Sequence, residues 1–136
     1  MVILSVVIVG MIPKYDLDTI KQLVRSDAWG YLNERRIFQT LDNLGWGDDE
    51  VVSVICALSA APVPGGDFKK TVPDCSVACL PDCNTVDADM YRIHWDEEAC
   101  TRRPDFVRGV TVELSLKLAI VNTGDGKLTG LVTLHP

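Results

Sequence analysis

The sequence predicts an α+β domain in which short helices come first and pack on a small antiparallel sheet. Two patterns carry this expectation. Apolar residues recur at helical spacing through the first sixty positions, and from Val110 to Ile120 they alternate with polar ones at a period of two. Size and composition agree. A chain of 136 residues, 47% hydrophobic and 24% charged, reads as one domain over 1–136, which excludes a collagen, a coiled coil or a disordered tail. A domain of this length buries roughly 68% of the surface its unfolded chain exposes, so it folds without covalent staples.

The elements follow in order. Residues 1–12 form an apolar extension. The run Val2–Val9 reads as a buried or edge strand, or as a translated leader upstream of a start at Met11. It has no basic residues ahead of it and falls short of the roughly 20 residues that span a bilayer, so neither a secretory signal nor a membrane anchor is expected. Leu17, Ile20, Leu23 and Val24 make one face of a first helix, with Asp16 as its N-cap. Asn33 caps a second helix carrying Ile37, Leu41 and Leu44, which Gly45 stops. A third begins at Asp48-Asp49-Glu50, buries Val51, Val54, Ile55 and Leu58, and ends at the Pro/Gly-rich stretch 61–66.

Residues 61–87 read as an irregular Cys/Pro/Gly-rich loop, and strands begin near Ala88. The alternation of Val110, Val112, Leu114, Leu116, Leu118 and Ile120 with polar residues makes a long strand. Thr123-Gly-Asp-Gly126 then turns the chain into a partner strand from Leu128 to His135.

Charge and motifs narrow the function. Thirteen basic against nineteen acidic residues leave a net charge of −6, which argues against a non-specific nucleic-acid coat. The stretch 107–136, with three cations and two anions, is the part not net acidic and the better place for an anionic ligand. There is no Gly-rich phosphate loop, no Gly-x-Ser-x-Gly elbow, and His94 and His135 are the only histidines, which excludes a hydrolase built on several imidazoles. Five cysteines without a secretory signal suit a reducing, cytoplasmic compartment. Cys75, Cys79 and Cys83, with His94 and Cys100, offer enough ligands for zinc. Their spacing is looser than the paired arrangement zinc uses, and the expectation is free thiols and no metal. Cys56 reads as a small core residue, and Asp96-Glu97-Glu98, which could bind a divalent cation, reads as a solvated acidic run.

The long strand is the most informative segment. Glu113, Ser115 and Lys117 share a parity and point away from the leucines. They form either an ordinary solvated face or a shallow catalytic face with an acid/base group and a cation.

Lys14-Tyr-Asp-Leu-Asp-Thr-Ile-Lys-Gln-Leu-Val24 resembles the opening of the MqsR family of toxins (motility quorum-sensing regulator, type II toxin–antitoxin systems). The similarity continues through Asp42-x-Leu44-Gly45, Val54-Ile55-x-x-Leu58, Asp67-Phe68-Lys69-Lys70, Asp89-Met90-Tyr91-Arg92, Leu114-x-Leu116-Lys117-Leu118 and Val132-Thr133-Leu134-His135. The resemblance implies a RelE-like fold and an endoribonuclease that cuts messenger RNA without a ribosome, metal or cofactor. It also implies a cognate antitoxin protein that serves as a DNA-binding repressor. It puts Lys70 in the place of the family's loop lysine, Lys117 in that of its strand lysine, and His135 where a basic residue closes the last strand. Lys69, Tyr91 and Arg92 fall in segments implied to bind RNA. For such a reaction His135 is the natural acid or base, and Lys70 and Lys117, with Arg92, supply positive charge. Glu113 is a second candidate base if it lies beside Lys117, and Tyr91 is a candidate for stacking on a nucleobase or positioning a phosphate. Ser115 stands where the family has a strand tyrosine, and Ala88 where it has a glutamine. These departures and the acidic charge favour the rival reading, a catalytically weak or inactive relative that acts as a protein-binding regulator.

Overall fold

A computed structural model describes residues 12–60, 66–78 and 84–136. The apolar run Val2–Val9, Met11, the Pro/Gly-rich stretch before Gly66, and Cys79 and Cys83 lie outside these residues. Among the described residues three helices and six strands follow one another as α1 (Leu17–Arg25), β1 (Trp29–Tyr31), α2 (Glu34–Leu44), α3 (Asp48–Ala57), β2 (Phe68–Ser76), β3 (Thr85–Asp96), β4 (Thr101–Arg103), β5 (Thr111–Thr123) and β6 (Gly126–His135). The class is α+β. No helix among the described residues is long and apolar enough to cross a membrane.

Local chemistry explains the helices. The Asp16 carboxylate accepts the Thr19 N–H at 3.1 Å and starts α1, which buries Leu17, Ile20 and Val24. Gly45, at φ 72°, ends α2 in the left-handed conformation that a residue without Cβ adopts at no steric cost. Asn33 is the N-cap residue of α2, its carbonyl accepting the Ile37 N–H at 3.2 Å, but its side chain makes no capping bond. Its amide instead donates to the carbonyls of Ser76 and Val132, tying the helix entry to β2 and β6. At α3 the cap is Gly47, whose N–H donates to Glu50 at 2.8 Å.

The sheet runs β1-β6-β5-β3-β2, with β4 also paired to β3. It is mixed and not purely antiparallel, because the three-residue β1 lies parallel to β6. So short a strand leaves no alternation to read. The expected loop over 61–87 needs a larger correction: β2 runs through it, and β3 begins at Thr85. Bulges between Phe68 and Lys70 and between Val72 and Cys75 break the period of β2, and Pro73 sits in it because β2 is an edge strand. Val110 also departs from expectation, lying exposed ahead of β5. The hairpin closes where predicted, with Thr123 opposite Gly126.

Each side of the sheet has its own core. The helices cover one face, where Ile20, Ile37, Ile55 and Leu58 meet Tyr91, Ile93, Leu114, Leu116 and Leu118. On the other face, Leu32, Ala88, Ala119, Val121 and Val132 form a smaller cluster, so only part of that face is polar. Here a Cβ on Gly130 would lie 2.5 Å from Leu32 Cδ1, so the glycine lets Leu32 lie against β6. Between the pairs Lys117–Thr133 and Leu118–Leu131 the register slips by one, leaving Val132 as the extra residue. The slip lets both Leu131 and Leu134 face the helices although three positions separate them.

Two buried carboxylates are structural. Asp67 accepts two hydrogen bonds from the Arg102 guanidinium, at 2.8 and 3.0 Å, and one from the Ser59 N–H. Asp96 is buried, which corrects its reading as part of a solvated run. It accepts the Ala99 N–H at 3.0 Å and the Arg103 guanidinium at 2.7 Å, and these two contacts, in that order, hold its carboxyl below the usual aspartate range. A depressed folded-state value stabilises the fold above the unfolded carboxylate range, and that contribution disappears as pH falls through the folded value. An Asp96→Asn variant should therefore unfold at a lower temperature than the parent at neutral pH. The gap should close in acid, as thermal melts across the carboxylate range would show.

Candidate functional site

Strand pairing builds the polar part of the open face from three cross-strand rows. His94 lies opposite Glu113. Arg92, Ser115 and His135 form the next row, and Lys70, Met90, Lys117 and Thr133 the third. Ser115 is at the centre. Arg92 and His135 flank it across the strands, and Glu113 and Lys117 lie two residues either way along β5. Cross-strand neighbours have Cβ atoms roughly 5 Å apart and diagonal ones roughly 7–8 Å, so one phosphate over Ser115 is within reach of all four groups.

Side-chain contacts order one end of this cluster. His94 Nε2 is 2.8 Å from Glu113 Oε2, and Arg92 Nε is 3.8 Å from Glu113 Oε1. Arg92 Nε also donates to Ser115 Oγ at 3.3 Å. Glu113 is thus held between an imidazole and a guanidinium while about half of its side chain, 48%, stays exposed. Exposed pairs of this kind add little to stability, so the arrangement is better read as orientation of the carboxylate than as a fold-holding device.

The other end opens into a cleft of about 430 Å³ between α2 and the last residues of β6. Lys117, Thr133 and His135 line it from the sheet, and Arg36, Gln39 and Thr40 from the helix. The enclosed Thr133 hydroxyl has no hydrogen-bond partner among the described residues.

The residues singled out in the sequence divide accordingly. Glu113, Lys117, His135 and Arg92 come together. Lys70 shares their face but lies two strand spacings from Lys117, about 10 Å. Lys69 is the extra residue of the first β2 bulge and is exposed at the sheet edge. His135 lies diagonal to Lys117, because its direct partner is Ser115.

Tyr91 corrects its expected role in stacking on a base. It is fully buried on the helix side, edge-on to Phe68 with ring centroids 5.6 Å apart, and its hydroxyl has no hydrogen-bond partner among the described residues. Burial raises its phenol above the ordinary tyrosine range. Tyr91→Phe should therefore leave stability unchanged or slightly higher, since it removes an unpaired buried hydroxyl. Denaturant titration of the variant and the parent would establish this.

His94, which the sequence offers as a zinc ligand, joins the cluster instead through Glu113. The segment Tyr91-Arg92-Ile93-His94-Trp95 already holds the signal: its odd positions are apolar and its even positions polar. The cysteines described are free; Cys75 is half-buried and Cys100 exposed. Among the described residues no group of three or more His, Cys, Asp and Glu side chains is placed to hold a metal ion. No protein-family model, curated protein or solved structure matches the chain.

Proposed function

We propose that this chain is an endoribonuclease that cleaves messenger RNA through the substrate's own 2′-hydroxyl, without a ribosome or a metal cofactor. The observation that carries the reading is the ring of Glu113, Arg92, Lys117 and His135 around Ser115, on a face where Arg92, Glu113 and His135 are exposed. The ordered motifs similar to the MqsR family extend the reading. They support a RelE-like fold, a cytoplasmic toxin of a type II toxin–antitoxin system, and a cognate antitoxin as its protein partner.

The chemistry needs a base, an acid and positive charge. The Glu113 carboxylate takes the proton of the 2′-hydroxyl, and His94 Nε2–H holds that carboxylate in place. The 2′ oxygen bonds to phosphorus while the bond from phosphorus to the 5′ oxygen breaks. His135, as imidazolium, gives its proton to the departing 5′ oxygen. Arg92 and Lys117 offset the charge that builds on the phosphorane. The products are a 2′,3′-cyclic phosphate and a 5′-hydroxyl.

The net charge of −6 and Ser115 in the tyrosine's place favour the protein-binding regulator as the second reading. One experiment separates the two. Purified protein incubated with mixed-sequence RNA in EDTA should produce fragments ending in cyclic phosphate. No cleavage of any sequence at micromolar enzyme would favour the regulator.

A further inference from the structure

Resting on the endoribonuclease reading, we propose that Phe106 is the platform on which a nucleobase of the RNA substrate stacks. Sequence reasoning gave this task to Tyr91, which the fold places in the core. The open face has an aromatic ring of its own. Phe106 is 56% exposed, and its ring meets the His94 ring nearly edge-on, with centroids 6.1 Å apart and planes at 71°. His94 in turn contacts Glu113, so the phenyl ring, the imidazole and the carboxylate form one continuous series ending at the proposed base.

The exposure of Phe106 does not reflect a fraying loop. The Val107 N–H donates to Thr111 Oγ1 at 2.8 Å, and the N–H groups of Val110 and Thr111 both donate to the Val107 carbonyl. Gly109, at φ 77°, makes the tight turn between them. At the near end, Arg103 is held on Asp96. The ring is therefore presented from a pinned support, with the entropy of ordering largely spent before a ligand arrives.

The charge beside the ring selects the occupant. Arg108 is exposed two residues further on, and Arg92 lies two residues from His94 on β3, so the segments that carry the ring and its imidazole neighbour each also carry a cation. A flat π-face with cations close by in the chain suits a nucleobase of any identity, because every base can stack while the backbone is held electrostatically.

The test uses a mixed-sequence oligoribonucleotide bearing 2′-O-methyl groups, which has no nucleophile and reports binding alone. Phe106→Ala should weaken its equilibrium binding roughly 5- to 100-fold, the range for losing one stacked base. Phe106→Trp should restore binding, and its indole fluorescence should be quenched as the oligonucleotide is added. Phe106→Leu should stay weak, since it keeps apolar surface without a π-face. In cleavage, Phe106→Ala should raise KM while leaving kcat nearly unchanged. Equal binding by the parent and the alanine variant would overturn the inference, as would full rescue by leucine, which would mark the loop as an apolar contact for a protein. If the unaltered chain binds no oligonucleotide, the endoribonuclease reading falls as well.

Discussion

A Glu113→Gln variant should fold like the parent and cleave RNA about 10²- to 10⁴-fold more slowly, the range for losing a positioned general base. Glutamine keeps the length of the side chain and an oxygen for His94, and gives up the negative charge and the ability to take the 2′ proton. Glu113 is exposed on the open face and contributes nothing to the apolar core, so stability should move by no more than about 0.5 kcal/mol. His94→Ala is the informative companion. On the proposed mechanism His94 acts through Glu113 as a positioning residue, so its loss should lower kcat less than the glutamine substitution does. Single-turnover rates would measure both. Parental cleavage by Glu113→Gln would move the base to His135 and leave the contact between His94 and Glu113 without a catalytic meaning.

Lys117→Ala and His135→Ala should each cost about 10²-fold or more in cleavage, typical of removing one charge-stabilising or proton-transferring group. The two differ in role: Lys117→Ala removes a charge that offsets the phosphorane, whereas His135→Ala removes the group proposed to protonate the leaving oxygen. The register adds a constraint. Lys117 pairs with Thr133 and His135 with Ser115, so the two groups meet diagonally at the mouth of one cleft. If both act on the same phosphate, the double variant should lose less than the product of the single losses. Full activity in the His135 variant would leave protonation of the leaving group to another acid, and a misfolded Lys117 variant would show that its stem holds the sheet together.

Much of the architecture was legible because local patterns and tertiary packing agreed. Leu17, Ile20 and Val24 recur at helical spacing and are buried together. The turn at Gly124-Asp125 closes a hairpin whose leucines alternate over one long strand. Reading failed where the backbone departs from a regular period. The two bulges of β2 shift successive side chains out of alternation, and β1 and β4 span three residues each. Tyr91 failed for another reason. Its neighbours Ile93 and Trp95 share its parity and its core, which the motif resemblance does not encode.

By itself the sequence determined the α+β class, the three helices, the β5–β6 hairpin and the shared parity of Glu113, Ser115 and Lys117, because each is written in spacing over a few residues. Tertiary structure decided which groups join that stripe. Arg92 and His94 arrive from β3 and His135 from β6, and their places depend on strand register, which is set by packing between residues distant in the chain. The bulge at Val132, the burial of Tyr91 and the ring of Phe106 against His94 belong to the same category. Each results from fitting two faces of one sheet to two different cores, and no local pattern of residues encodes that fit.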